Sequence, residues 1–167
     1  MSQAVLRVAV ICTGNICRSP MAEVIIRHRV NSDPLLRGRV LVTSAGIEDW
    51  HVGSPMDERA RAALDRAGFR GAGTAASFAD RQYLDEQDVV IVMTREQLHE
   101  VRGRRTGPSD DVYLLRSFED PDRTLDVTDP YYGTVADFDE CCFVISRTVP
   151  RLTSEFRRRF GADSYEA

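Results

Sequence analysis

The chain has 167 residues, 43% of them hydrophobic, which is enough for one domain built on one core. Its 26 acidic residues outnumber 22 basic ones, and the formal net charge of -4 argues against general nucleic-acid binding. No apolar run approaches the roughly 20 residues of a membrane span, and the N-terminus lacks a signal peptide's basic start and apolar centre, so a cytoplasmic protein with no membrane partner is expected.

Val5 to Ile11 is a dense β-branched run and predicts a strand buried on both faces. After a short turn, Ser19 to Val30 places Met21, Val24, Ile25 and His28 at helical spacing, with Pro20 in the first turn, which predicts an amphipathic helix. Arg39 to Gly46 reads as a second strand. Ala60, Ala63, Leu64 and Ala67 recur at helical spacing before the stop signal Gly68. Asp88 to Met93 is a third buried strand, followed by a helix over 95–104 with Thr94 as its N-cap. Asp111 to Leu115 is the fourth strand. The next stretch, to Thr134, is rich in Asp, Pro, Thr and Gly and reads as a long structureless loop, a kind that is usually functional. Val135, Phe138, Cys142, Ile145, Val149, Leu152 and Phe156 then mark one long helix that Pro150 bends without ending. The alternation predicts a single α/β domain over 1–167, a four-stranded parallel sheet with helices on both faces. Ligands of such sheets bind at the carboxyl ends of the strands.

The turn after the first strand lies at that end. It holds Cys12, Thr13, Gly14, Asn15, Ile16 and Cys17, with Arg18 and Ser19 opening the helix. Cys12 and Cys17 are too far apart for a redox C-x-x-C pair, and with no histidine nearby they make a poor zinc site, so no metal is expected. A glycine-containing loop that runs into a helix N-terminus points its N–H groups at one spot, where an anion belongs. Arg18 adds a planar fork that meets two phosphoryl oxygens at once. A thiolate in such a setting is favoured over the thiol, which suits Cys12 as a nucleophile. The loop therefore reads as a phosphate-binding loop.

The string "VICTGNICRSPMAE", with "SAG", "WHVG" and the distant "DPYYG" (Asp129 to Gly133), resembles the low-molecular-weight protein tyrosine phosphatases over nearly the whole chain. The resemblance implies Cys12 as nucleophile, Arg18 as phosphate clamp, Ser19 as hydroxyl donor to the thiolate and Asp129 as general acid. Trp50, Tyr131 and Tyr132 would line the slot for the substrate ring. It implies hydrolysis of phosphotyrosine in protein substrates without a cofactor, with inorganic phosphate as product and inhibitor. Two segments depart from the family's pattern. A T/S-x-H-x-A-R segment is replaced by Thr74, Ala75, Ala76 and Ser77, and M-D-x-x-N by Met93, Thr94, Arg95, Glu96 and Gln97. Both predict a looser hold on the loop, with Ser44 bonding Asn15 instead.

Arsenate reductases share the loop but relay oxidation through further cysteines, whereas Cys141 and Cys142 fall inside the last helix, with Cys142 on its apolar stripe. Arginine phosphatases carry a threonine where this chain has Ile16. A phosphotyrosine-binding module without activity would lack Cys12 or Asp129. Cys17 is expected to condense with oxidised Cys12 into a reversible disulfide, sparing the nucleophile from overoxidation.

Overall fold

The computed structural model describes residues 4–71 and 73–161. In chain order the elements are β1 (Leu6–Cys12), α1 (Arg18–Ser32), β2 (Val40–Gly46), α2 (Glu58–Arg66), α3 (Arg81–Asp85), β3 (Val89–Val92), α4 (Arg95–Arg104), β4 (Val112–Leu114) and α5 (Val135–Arg159). The strands form one parallel sheet in the order β2-β1-β3-β4. Because β1 has β2 on one side and β3 on the other, the chain leaves it in opposite directions, and a crevice opens between the carboxyl ends of β1 and β3. Cys12, the last residue of β1, stands at that crevice opposite Gly46.

Alternate residues of the central strands feed two cores, as period-two geometry requires. Val8, Val10, Ile91 and Met93 pack under α1, α2 and α5, while Ala9, Ile11, Val90 and Val92 face α3 and α4. All four residues of β3 are fully buried, which is why that strand reads as a continuous apolar run rather than an alternating one.

Four expectations need correction. The first strand runs one residue later than the apolar run suggested, since Val5 is exposed and Cys12 pairs. The first helix is not amphipathic in its first half: Arg18 to Ile26 are all buried, because α1 is sandwiched by α2, α5 and the sheet. The short α3 was unforeseen, its five residues being too few to display a period. The long loop is not structureless throughout. It opens as a 3-10 turn over Leu115–Phe118, and Arg116 ties it together by donating to the Asp126 carbonyl and the Glu119 carboxylate. The last helix runs through Pro150, and every residue of its predicted stripe is buried except Val135.

Candidate active site

The phosphate-loop residues are held from below. Asn15 adopts φ 59°, a left-handed conformation that asparagine tolerates better than most side chains. That turn brings its main-chain N–H to 3.3 Å from Cys12 Sγ. Its side-chain amide donates to Ser19 Oγ at 2.8 Å and Ser44 Oγ at 2.9 Å, while Oδ1 accepts the Ser77 N–H at 3.0 Å. Ser19 Oγ lies 2.9 Å from Cys12 Sγ. Since it already accepts from Asn15, its own hydrogen is available to the sulfur. Ser44 passes its hydrogen to Glu23 Oε2 at 2.8 Å, and this fully buried carboxylate also takes the Thr74 hydroxyl and pairs with Arg27. A buried charge needs such compensation to be tolerated.

The two departures of sequence thus leave the loop tied by other donors. The main chain of Ser77 serves Asn15 because residues 77–79 run beside the end of β2, with Gly46 N–H donating to Ser77 O and Ala79 N–H to Gly46 O. Gln97 spans from the Met93 N–H, accepted at 2.9 Å, to Thr13 Oγ1 at 3.2 Å. Gly46 has no room for a side chain: a Cβ there would sit 2.8 Å from the Thr13 carbonyl oxygen and 2.9 Å from that of Glu48.

Arg18, in the first turn of α1, is 4% exposed. Nη1 donates to the Val127 carbonyl at 3.1 Å, and Nη2 to Thr13 Oγ1 at 3.4 Å and Asp129 Oδ2 at 3.3 Å. Its Nε is buried and finds no acceptor among the described residues. A desolvated donor of this kind costs about 1–3 kcal/mol unless an oxygen meets it.

Asp129 stands on the other wall, its side chain 45% exposed, with Oδ1 accepting the Tyr131 N–H at 3.1 Å. Arg59 clasps this acid loop to α2: it bonds Asp57, donates to the Tyr131 carbonyl at 3.0 Å and lies 4.6 Å from the Phe138 ring centre. The Arg59 bonds, against the opposing effect of burial, hold the Asp57 carboxyl below its ordinary pKa. Asp57 in turn caps α2 and donates its N–H to the Ile16 carbonyl, so it holds the phosphate loop directly and the Asp129 loop through Arg59.

Together these groups enclose a cleft of about 280 Å³ with Cys12 and Arg18 at its base and Trp50, His51, Tyr131 and Tyr132 around it. Tyr131 and Tyr132 meet edge to face at 4.9 Å. Trp50 and Tyr132 are 69% and 95% exposed. Every residue predicted for the cleft lines it or supports it, Ser19 and Ser44 doing so from beneath. His51, Gln97, Arg59 and Glu23 were missed. His51 was legible only as the neighbour of Trp50, where it packs against Gly14.

Cys17, Cys141 and Cys142 sit in surroundings that disfavour their ionisation. Burial first, then Asp57 and Asp129, push the Cys17 thiol far above its ordinary range. Burial raises Cys141 to about 12 and lifts Cys142 as well. All four cysteines are free thiols. Among the described residues no helix is long and apolar enough to cross a membrane.

A cysteine-and-arginine loop at the end of the first parallel strand and a carboxylate on a distant loop define a class, and the family model for low molecular weight phosphotyrosine protein phosphatases matches residues 7–161. The chain belongs to that family. It is accordingly a protein-tyrosine-phosphatase, a phosphoric monoester hydrolase. It is 40% identical over 153 residues to the low molecular weight protein-tyrosine phosphatase A of Mycobacterium tuberculosis, covering 88% of this chain and 89% of that one. Against YfkJ of Bacillus subtilis it is 36% identical over 155 residues, covering 92% and 97%. The crystal structure of YfkJ superposes with a TM-score of 0.84 over 95% of this chain and 99% of that chain. The YwlE arginine phosphatase of Geobacillus stearothermophilus also superposes, with a TM-score of 0.81 over 97% and 99%. At 24% identity it shares the fold alone.

Proposed function

We propose that the protein removes phosphate from phosphotyrosine in protein substrates, and from aryl phosphates, by two displacements at phosphorus. The observation that carries this reading is the buried Nε of Arg18, a donor without an acceptor among the described residues, in the cleft of Cys12 and Asp129. The phosphoryl oxygens meet that donor and the loop N–H groups, which hold the charge that develops as phosphorus is attacked. The Cys12 thiolate, bonded by Ser19, forms the S–P bond while the O–P bond to the ring breaks. Asp129 gives its proton to the departing phenol oxygen. Asp129, now a carboxylate, takes a proton from water as that water attacks the phosphocysteine. Inorganic phosphate leaves and the thiolate is restored. No metal or cofactor enters either displacement. Trp50, Tyr131 and Tyr132 stack on the ring, and a shorter phosphoserine leaves its phosphate above Arg18.

Hydrolysis of phosphoarginine is the second reading, because the YwlE arginine phosphatase shares the fold. Ile16 disfavours it. That residue lines the cleft with a side chain that offers a guanidinium no hydrogen bond.

The test is Asp129→Asn. General acid catalysis supplies about 10²–10⁴ in rate, so the variant loses that factor on phosphotyrosine peptides and still forms phosphocysteine with a good leaving group. Turnover of both substrates by that variant at the wild-type rate removes Asp129 from the mechanism. Comparable wild-type rates on phosphotyrosine and phosphoarginine overturn the specificity.

A further inference from the structure

We propose that Gln97 is a positioning residue that sets the polarity of the Thr13 hydroxyl, so that Thr13 presents its hydrogen to an oxygen of the bound phosphoryl group. Gln97 is 5% exposed in the first turn of α4, just past β3, the strand beside β1 at the crevice. Its backbone is fixed as well, since its N–H donates to the Thr94 hydroxyl at 3.1 Å. A main-chain N–H can only donate, so the Met93 N–H at 2.9 Å identifies the oxygen end of the Gln97 side chain. The other end is therefore the NH₂ group, and it stands 3.2 Å from Thr13 Oγ1. Arg18 Nη2, which likewise can only donate, reaches the same oxygen at 3.4 Å.

A hydroxyl has two lone pairs and one hydrogen. Both lone pairs of Thr13 face donors that cannot accept in return, so its hydrogen is directed away from Gln97 and Arg18. Thr13 lines the cleft with Cys12 and Arg18, and an anionic oxygen clamped by Arg18 is the acceptor that hydrogen fits. Gln97 thus acts through Thr13 and touches no substrate. The proposal rests on the phosphatase reading of the same cleft and adds one donor to it.

Inhibition of aryl phosphate hydrolysis by inorganic phosphate reads the effect. Thr13→Val raises the phosphate inhibition constant about tenfold, the weight of one hydrogen bond to a charged group, and Thr13→Ser restores it. In Gln97→Glu the carboxylate oxygen must accept from Thr13, which turns the hydrogen out of the cleft, and a similar rise is expected. In the Thr13→Val background the same change adds little. Gln97→Met removes the donor without adding charge and raises the constant about threefold, because the hydroxyl is then free to rotate. Unchanged inhibition in Thr13→Val, no change in Gln97→Met, or an equal penalty for Gln97→Glu with and without the hydroxyl overturns the proposal. A wild-type enzyme that does not hydrolyse the aryl phosphate fails the phosphatase reading as well, whereas phosphate inhibition equal in wild type and Thr13→Val fails the Thr13 assignment alone.

Discussion

The base of the cleft and its rim are built on opposite terms. Cys12, Asn15, Arg18 and Ser19 are each 4% exposed or less, and their polar groups are tied to one another and to Ser44, Ser77 and Val127. Trp50 and Tyr132, by contrast, are 69% and 95% exposed, and the tyrosine side of the rim is held by Arg59 on the Tyr131 carbonyl and by Asp129 on the Tyr131 N–H. In the proposed reaction the base meets the same phosphoryl group in every substrate, so rigid donors lose nothing there and gain preorganisation. On the same reading the rim meets variable protein surfaces, where aromatic side chains supply contact area without demanding one shape.

Substitutions at the two levels separate accordingly. Arg18→Lys replaces a fork by a single point charge, and kcat/KM for an aryl phosphate is expected to fall about 10²–10³-fold, as when an oxyanion donor is lost. A fall below tenfold would mean that the fork is not used. Asn15→Ala keeps the left-handed turn without the side chain that favours it, and strands the Ser77 N–H. About 3 kcal/mol of stability should be lost in urea unfolding, with activity falling alongside. A variant as stable as the wild type would show the base to be less interlocked than its hydrogen bonds imply. If Cys17 condenses with oxidised Cys12, then Cys17→Ser should keep most of its starting activity but recover poorly from peroxide under thiol reductant. Complete recovery would reduce Cys17 to packing. The smallest effect belongs to the rim. Tyr132→Ala should raise KM for a phosphotyrosine peptide by roughly threefold to tenfold, the worth of one exposed stacking contact, and leave phosphate inhibition alone. A large change in phosphate inhibition would erase the distinction between the two levels.

Much of this site was legible because its chemistry is local in sequence. Cys12 to Ser19 form one turn at a strand end, and the β-branched run before it and the apolar spacing after it locate it on the sheet. Asp129 and the tyrosines announced themselves in a polar loop. What escaped was carried by groups without a signature. The N–H of Ser77 belongs to the main chain, and any residue there could offer it. Gln97 reads as an ordinary helix residue until the sheet order sets α4 beside the loop. Glu23 looks like a solvent-facing helix position, and only burial of α1 between two helices and the sheet turns it inward. Arg59 is one of 22 arginines, and nothing in its neighbours marks it as the one that reaches the acid loop.

Gly46 offers no functional group, yet it lies opposite Cys12 in the sheet, with two carbonyl oxygens where a side chain would begin. Even alanine would force the strand away from the loop or the loop away from its strand. In a survey of every single substitution, this position should therefore be as intolerant as Cys12 itself. Evolutionary invariance at Gly46 would record a limit of space and not a chemical duty, so a ranking of positions by tolerance alone would place a bystander among the reacting groups.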